Sequence, residues 1–116
     1  MKRQEFRRAL YGKWQPIMGY PLAIPGIDAE LFVAYSHDRM WEVYIQVTGI
    51  AITSFWTTMS AAISAIHSKI AYWDCPNARI NKLIAEQISY NPQLYNGIVL
   101  PSHKYRCIAS DQAPIS

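Results

Sequence analysis

Apolar side chains in the first segment of the chain recur at the spacing of a helix. Phe6, Ala9 and Leu10 would share one side of a helix over residues 2 to 11, and Gly12 is suited to end it. The other side of this helix would be polar. The pattern therefore predicts an amphipathic N-terminal helix.

The next segments change from irregular to strand-like. Three prolines and two glycines within residues 15 to 28 predict an irregular or extended linking segment. Beyond it, β-branched and aromatic residues predict three short strands, and Gly49 is able to take the positive φ of a tight turn. The predicted strands cover residues 31 to 35, 41 to 47 and 50 to 55. Their order predicts a three-stranded antiparallel meander.

Helical spacing returns after the meander. Thr57 or Thr58 is suited to cap a helix whose apolar stripe runs from Met59 to Trp73. Pro76 favours the first turn of a second helix, which would end before the Asn-Pro pair that follows Tyr90. Both helices are expected to bury their apolar stripes against the sheet.

Composition favours one folded domain. The chain has 116 residues, of which 51% are hydrophobic and only 16% charged, and this favours a packed core over disorder. Residues 43 to 68 contain no charged side chain, but polar residues interrupt the run and favour strands and a helix over a membrane span. We predict a single α+β domain over residues 1 to 116. Its elements would be an N-terminal helix, a three-stranded antiparallel meander, two helices packed on the sheet, and a C-terminal hairpin over residues 96 to 109.

Positive charge is concentrated at the start of the chain. The net charge is +3, and five of the 11 Lys and Arg residues, but only one acid, lie within the first 13 residues. Arg3, Arg7 and Arg8 would form the basic side of the predicted helix, with Tyr11 and Trp14 near its end. These five residues are the predicted partner-binding site, for an acidic protein surface or for phosphates with stacked bases. The alternative is a helix whose arginines are simply solvated.

No catalytic or metal-binding motif is recognisable. The acids are scattered without pairing, and no phosphate-binding glycine loop or nucleophile motif is present. The candidate zinc ligands are His67, Cys75, His103 and Cys107. They lack a close cysteine pair, so we predict no metal, no cofactor and no enzymatic activity, although a catalytic site assembled from distant residues stays a third alternative. The two cysteines are expected to be ordinary, partly buried thiols. A basic start without an apolar signal segment predicts a cytoplasmic protein.

Residues 41 to 66, "WEVYIQVTGIAITSFWTTMSAAISAI", combine a strand that begins with Trp, a Thr-Gly turn, a second strand, a Thr cap and an Ala-rich helix. This segment resembles small phage- and plasmid-borne proteins of the anti-CRISPR inhibitor type. The resemblance implies a non-enzymatic inhibitor that binds a host defence protein or nucleoprotein complex, and it assigns no functional residue. We therefore predict an interaction protein of this kind. The alternative is a small DNA- or RNA-binding protein that uses its Arg-rich N-terminal helix.

Overall fold

A five-stranded antiparallel sheet followed by two helices forms the fold. The structure is a computed structural model that describes residues 2–36 and 38–97. The strands are β1 (Gln4–Leu10), β2 (Lys13–Leu22), β3 (Leu31–Tyr35), β4 (Trp41–Ile45) and β5 (Ile50–Trp56), and the helices are α1 (Met59–Ala71) and α2 (Pro76–Tyr90). The strands lie side by side in the order of the sequence, so every connection is a hairpin or a short loop.

The predicted fold, an N-terminal helix followed by a three-stranded meander, is wrong in its first part. β1 and β2 form a hairpin instead, with a continuous register from the pair Leu10–Lys13 to the pair Gln4–Gly19. Its two-residue turn consists of Tyr11 and Gly12, whose φ angles are 52° and 73°. A type I′ turn requires positive φ at both positions and is the turn best suited to a tight hairpin. The sheet therefore has five strands, and β1 is the first element of the described residues.

The predicted irregular or extended linking segment is extended over residues 15 to 22, but this part belongs to β2 and is not a link. Pro16 lies before the part of β2 that pairs with β3, and Pro21 lies beyond the part that pairs with β1. Each proline therefore has a neighbouring strand on one side only. Its missing N–H removes no hydrogen bond from the sheet, so β2 tolerates both residues.

The elements predicted after residue 30 correspond more closely to the structure. β3 has the predicted bounds, and β4 ends two residues earlier than predicted. Thr58 caps α1, since its hydroxyl accepts a 3.0 Å hydrogen bond from the amide of Ala61. Pro76 is the first residue of α2. The predicted C-terminal hairpin falls largely on residues 98 to 109, which lie outside the described residues.

The main core lies between the sheet and the two helices. We call the covered side of the sheet the helix side. The sheet contributes Leu31, Val33, Val43 and Ile45 to this core, and the helices contribute Ala62, Ile66, Ile70, Ile80 and Ile84. Within the described residues, neither helix is both long and apolar enough to cross a membrane.

A second cluster lies on the opposite side of the sheet. The ring of Phe32 stacks on Phe6 at a centroid distance of 4.4 Å and on Tyr44 at 4.8 Å. The sheet also curls, so that the amide of Ala9 at the end of β1 donates a 2.8 Å hydrogen bond to the carbonyl of Gly49 in the turn before β5. This contact ties the N-terminal hairpin to the meander.

Candidate interaction surface

Strand geometry separates the three arginines of the predicted site. Successive side chains of a strand point to opposite sides of the sheet. Arg7 therefore lies on the helix side, where it contacts Trp14, and Arg8 lies on the opposite side. Arg8 is only 8% exposed, whereas Arg3 and Arg7 are exposed. The common basic side expected of a helix does not form, and the role of these residues in partner binding stays a prediction.

Arg8 belongs to a buried polar group on the opposite side of the sheet. Its guanidinium donates a long hydrogen bond of 3.4 Å to the hydroxyl of Tyr44, and that hydroxyl donates to the carboxylate of Glu42. Burial, together with the hydrogen bond to Glu42, raises the pKa of the Tyr44 phenol. The phenol stays protonated at neutral pH and donates a hydrogen bond to the carboxylate. Arg8 thus supports the interior and is not available to a partner at the surface.

Trp14 and Tyr11 have different environments at the end of the hairpin. The indole N–H of Trp14 donates a 3.2 Å hydrogen bond to the carbonyl of Leu94, and its ring meets Tyr95 edge-on at 5.5 Å. The guanidinium of Arg7 lies 4.3 Å from the centroid of the same indole. Tyr11 forms the turn and is 91% exposed. Trp14 therefore anchors the hairpin and positions Arg7, while Tyr11 is accessible.

In the described structure, part of the helix side is exposed and not covered by the two helices. Val33 is fully buried, but Tyr35, the next residue of β3 on the same side, is 49% exposed. On β2, Tyr20 packs against the core, whereas Met18 is 43% exposed. Tyr20 and Val33 are paired across the two strands. On both strands, the change from buried to exposed side chains therefore comes at the same point, between this pair and the next residues on that side. Large apolar side chains on a contiguous exposed patch are typical of interaction sites.

These side chains form an open cleft of about 490 Å³. Arg3, Met18, Tyr20, Tyr35 and Trp41 line it, and we call it the aromatic cleft. The rings of Tyr35 and Trp41 pack against each other with their centroids 5.4 Å apart. Among the described residues, Arg3 is the only charged residue that lines the cleft. The cleft can therefore bind an apolar or planar group next to a negative charge.

The sequence reasoning placed Arg3 in a site but missed the aromatic residues beside it. The sequence analysis assigns no role to Tyr35 or Met18, and Trp41 both lines the cleft and packs against the core. Alternation along β3 and β4 does place Tyr35 and Trp41 on the same side as Val33 and Val43. No local signal shows that Tyr35 is exposed while Trp41 is partly buried.

Candidate catalytic and metal chemistry is sparse in the described structure. Among residues 2–36 and 38–97, no group of three or more His, Cys, Asp or Glu side chains is arranged to hold a metal ion. His103 and Cys107 lie outside the described residues, so the absence of zinc stays a prediction. Cys75 is disulfide-bonded, and the expectation of a free thiol at this position is wrong.

Comparisons with known proteins identify no relative of the chain. No family model matches the chain, and no curated protein or solved structure is significantly similar to it.

Proposed function

We propose that the chain is a non-enzymatic binding protein whose aromatic cleft holds a segment of a protein partner. The observation that carries this proposal is the cleft in which the exposed side chains of Met18 and Tyr35 lie beside the partly buried ring of Trp41. Aromatic residues, Met and Arg are the residue types enriched in the centres of protein interfaces. Arg3 adds a positive charge at the margin of the cleft.

Physical reasons favour a peptide-like occupant of the cleft. Tyr35 and Trp41 offer large rigid surfaces that lose little conformational entropy on binding. Met18 is unbranched and can adapt its shape to different apolar groups. Arg3 forms no ion pair among the described residues, so it is available for a partner's carboxylate. A segment with one apolar side chain beside an acidic one fits this set.

A second candidate function is the binding of single-stranded nucleic acid. It is favoured by the exposed ring of Tyr35 and by the exposed basic residues of the hairpin, which are Lys2, Arg3, Arg7 and Lys13. Bases stack on exposed aromatic rings, and cationic side chains follow the phosphates. Such binding would weaken steeply with added salt.

The resemblance of residues 41 to 66 to anti-CRISPR-type inhibitors adds a narrower proposal about the partner. It would be a host defence protein or a nucleoprotein complex, bound in the cytoplasm. Trp41 belongs both to this segment and to the aromatic cleft. The comparisons with known proteins provide no support for this narrower proposal.

Selection from a random peptide library displayed on phage tests the main proposal. Selected peptides are synthesised, and their affinities are measured for the unmodified protein and for Tyr35→Ala and Arg3→Glu. Tyr72→Ala is the matched control, because Tyr72 is 87% exposed but follows α1 and does not line the cleft. Fluorescence anisotropy with labelled oligothymidine measures nucleic-acid binding by the same variants.

The proposal predicts that the peptides share an apolar residue near an acidic one. Their affinity should fall at least about tenfold, which is roughly 1.4 kcal/mol, in Tyr35→Ala and stay unchanged in Tyr72→Ala. Equal affinity in both tyrosine variants would show that the cleft is not the binding site. Tight binding of oligothymidine that depends on Tyr35, without selectable peptides, would favour the second candidate function.

A further inference from the structure

We infer, on the basis of the proposed function, that the free edge of β1 binds an acidic extended segment of a protein partner as a sixth strand. The segment would carry two carboxylates four residues apart. These carboxylates would face Arg3 and Arg7 across the edge of the sheet. Strand addition of this kind takes its affinity from main-chain hydrogen bonds and its specificity from alternate side chains.

Two observations show which backbone groups of β1 face outwards. The amide of Ala9 donates to Gly49 and therefore points away from β2. Arg7 is paired with Pro16, which has no N–H, so this pair is not hydrogen-bonded and Arg7 also points outwards. Alternate residues of an antiparallel strand direct their N–H and C=O groups to the same side. Glu5 must therefore present its backbone groups outwards as well.

This edge has room for a short strand. β1 pairs only with β2 in the described structure, and no backbone hydrogen bond of Glu5 or Arg7 reaches another described segment. The contact between Ala9 and Gly49 closes the edge at one end. The stretch from Arg3 to Arg7 stays open, and its five residues extend over roughly 17 Å. Within β1, this edge offers the N–H and C=O groups of Glu5 and Arg7 for pairing.

Charge complementarity indicates an acidic occupant. Lys2, Arg3 and Arg7 are exposed along this edge, and Glu5 is its single acid. Arg7 is held above the ring of Trp14 at 4.3 Å, so its position is fixed before a partner binds. An arginine stacked on an indole keeps the N–H groups at its edge for a carboxylate. Neither Arg3 nor Arg7 forms an ion pair among the described residues.

The pleat of the sheet determines the spacing of the acids. Side chains of directly paired residues lie on the same side of a sheet. Residues of the added strand opposite Arg3 and Arg7 are four apart and point to the helix side, next to the aromatic cleft. The residue between them faces Glu5 and should be neutral or basic. Acids three residues apart would point to opposite sides, and only one could meet an arginine.

Two synthetic peptides of identical composition test this spacing. Both are blocked at their ends and rich in Thr and Ser, and one carries glutamates at its third and seventh positions. The other carries them at its third and sixth positions. We expect the first peptide to bind about two- to fivefold more tightly, in line with one additional cross-strand charge pair. This preference should disappear in the double variant Arg3→Gln, Arg7→Gln.

A pair of substitutions at Glu5 tests the main-chain hydrogen bonds. Glu5→Pro removes an outward N–H but leaves the bonds between β1 and β2 intact, and Glu5→Gln removes the same charge and keeps the N–H. Glu5→Gln should bind the first peptide at least as tightly as the unmodified protein, and Glu5→Pro at least about fivefold more weakly. Circular dichroism and thermal unfolding confirm that both variants are folded.

The outcomes separate this inference from the proposed function. Equal affinity of folded Glu5→Pro and Glu5→Gln would overturn strand addition, and so would equal affinity of the two peptides for the unmodified protein. If Tyr35→Ala still weakens the selected peptides, the cleft binds a partner without pairing to β1. If Tyr35→Ala has no effect while Glu5→Pro does, the edge binds the segment and the cleft does not.

Discussion

Replacing Gly49 with Ala tests the contact that joins the N-terminal hairpin to the rest of the sheet. Gly49 has a φ of 66°, and a Cβ atom there would lie 2.7 Å from the amide nitrogen of Ala9 and 2.9 Å from the Cα of Arg8. Both neighbours are backbone atoms of β1 and cannot move without displacing the strand. The substitution should therefore strain the turn and push β1 away from it.

The expected loss of stability has three parts. A non-glycine residue at positive φ costs about 1–2 kcal/mol, partly offset by the lower entropy of the unfolded chain, about 0.4–1 kcal/mol. Overpacking against β1 adds about 1–3 kcal/mol. Weakening of the hydrogen bond between Ala9 and Gly49 adds about 0.5–1.5 kcal/mol. The free energy of unfolding should fall by about 1.5–6 kcal/mol in total.

Gly26→Ala is the matched control. Gly26 has a φ of 86°, but a Cβ atom there would meet no other atom within 4 Å. This variant isolates the backbone cost, so its loss should be no more than about 1.5 kcal/mol. Urea unfolding followed by tryptophan fluorescence measures both variants. Equal losses would refute the close approach of β1 to the turn, and with it the position of the N-terminal hairpin.

Three further substitutions test separate features of the fold. Phe55 has a φ of 71° and is 73% exposed. Because glycine adopts a positive φ without strain, Phe55→Gly should be more stable than Phe55→Ala by about 1 kcal/mol, the reverse of the usual order in strands. Chemical denaturation of both variants decides the sign of this difference. Burial raises the pKa of Tyr44 above its ordinary value of 10.0, so the folded state holds this proton more tightly than the unfolded state does. Its contribution to stability is complete below about pH 10 and is lost as the pH rises further, by at most about 1.4 kcal/mol per pH unit. Tyr44→Phe should therefore flatten the decline of unfolding free energy between pH 9 and pH 11, and an unchanged slope would show that Tyr44 titrates normally. Ile66 is fully buried beneath the sheet, and Ile66→Ala should cost about 2–5 kcal/mol in thermal or urea unfolding; a loss below about 1 kcal/mol would contradict its position in the core.

The helices were predictable because their signals are local. Thr58 caps α1 through its own side chain, and Pro76 begins α2 where a missing N–H costs nothing. The apolar stripes repeat at the helical period over three or more turns. Signals of this kind depend on neighbours within four residues, so the sequence contains them in full.

The N-terminal hairpin was not predictable in the same way. Phe6, Ala9 and Leu10 satisfy the spacing of a helix, and the turn at Tyr11 lacks the Asn or Asp that most often marks a type I′ hairpin. As a strand, β1 buries Arg8, which disguises its alternation of apolar and polar residues. Tyr44, a hydrogen-bond partner of Arg8, lies 36 residues further along the chain. Only the folded structure reveals that this arginine is an interior residue.

The candidate surface was also predictable only in part. The sequence by itself determined that positive charge is concentrated in the first 13 residues and that the chain is rich in large rings. The tertiary structure decided that Arg3 and Arg7 stay at the surface while Arg8 is buried, and that Met18 and Tyr35 are exposed on the helix side of the sheet. Residue type and spacing are local properties. Exposure depends on which distant elements cover a side chain, and that coverage exists only once the sheet and the helices have packed together.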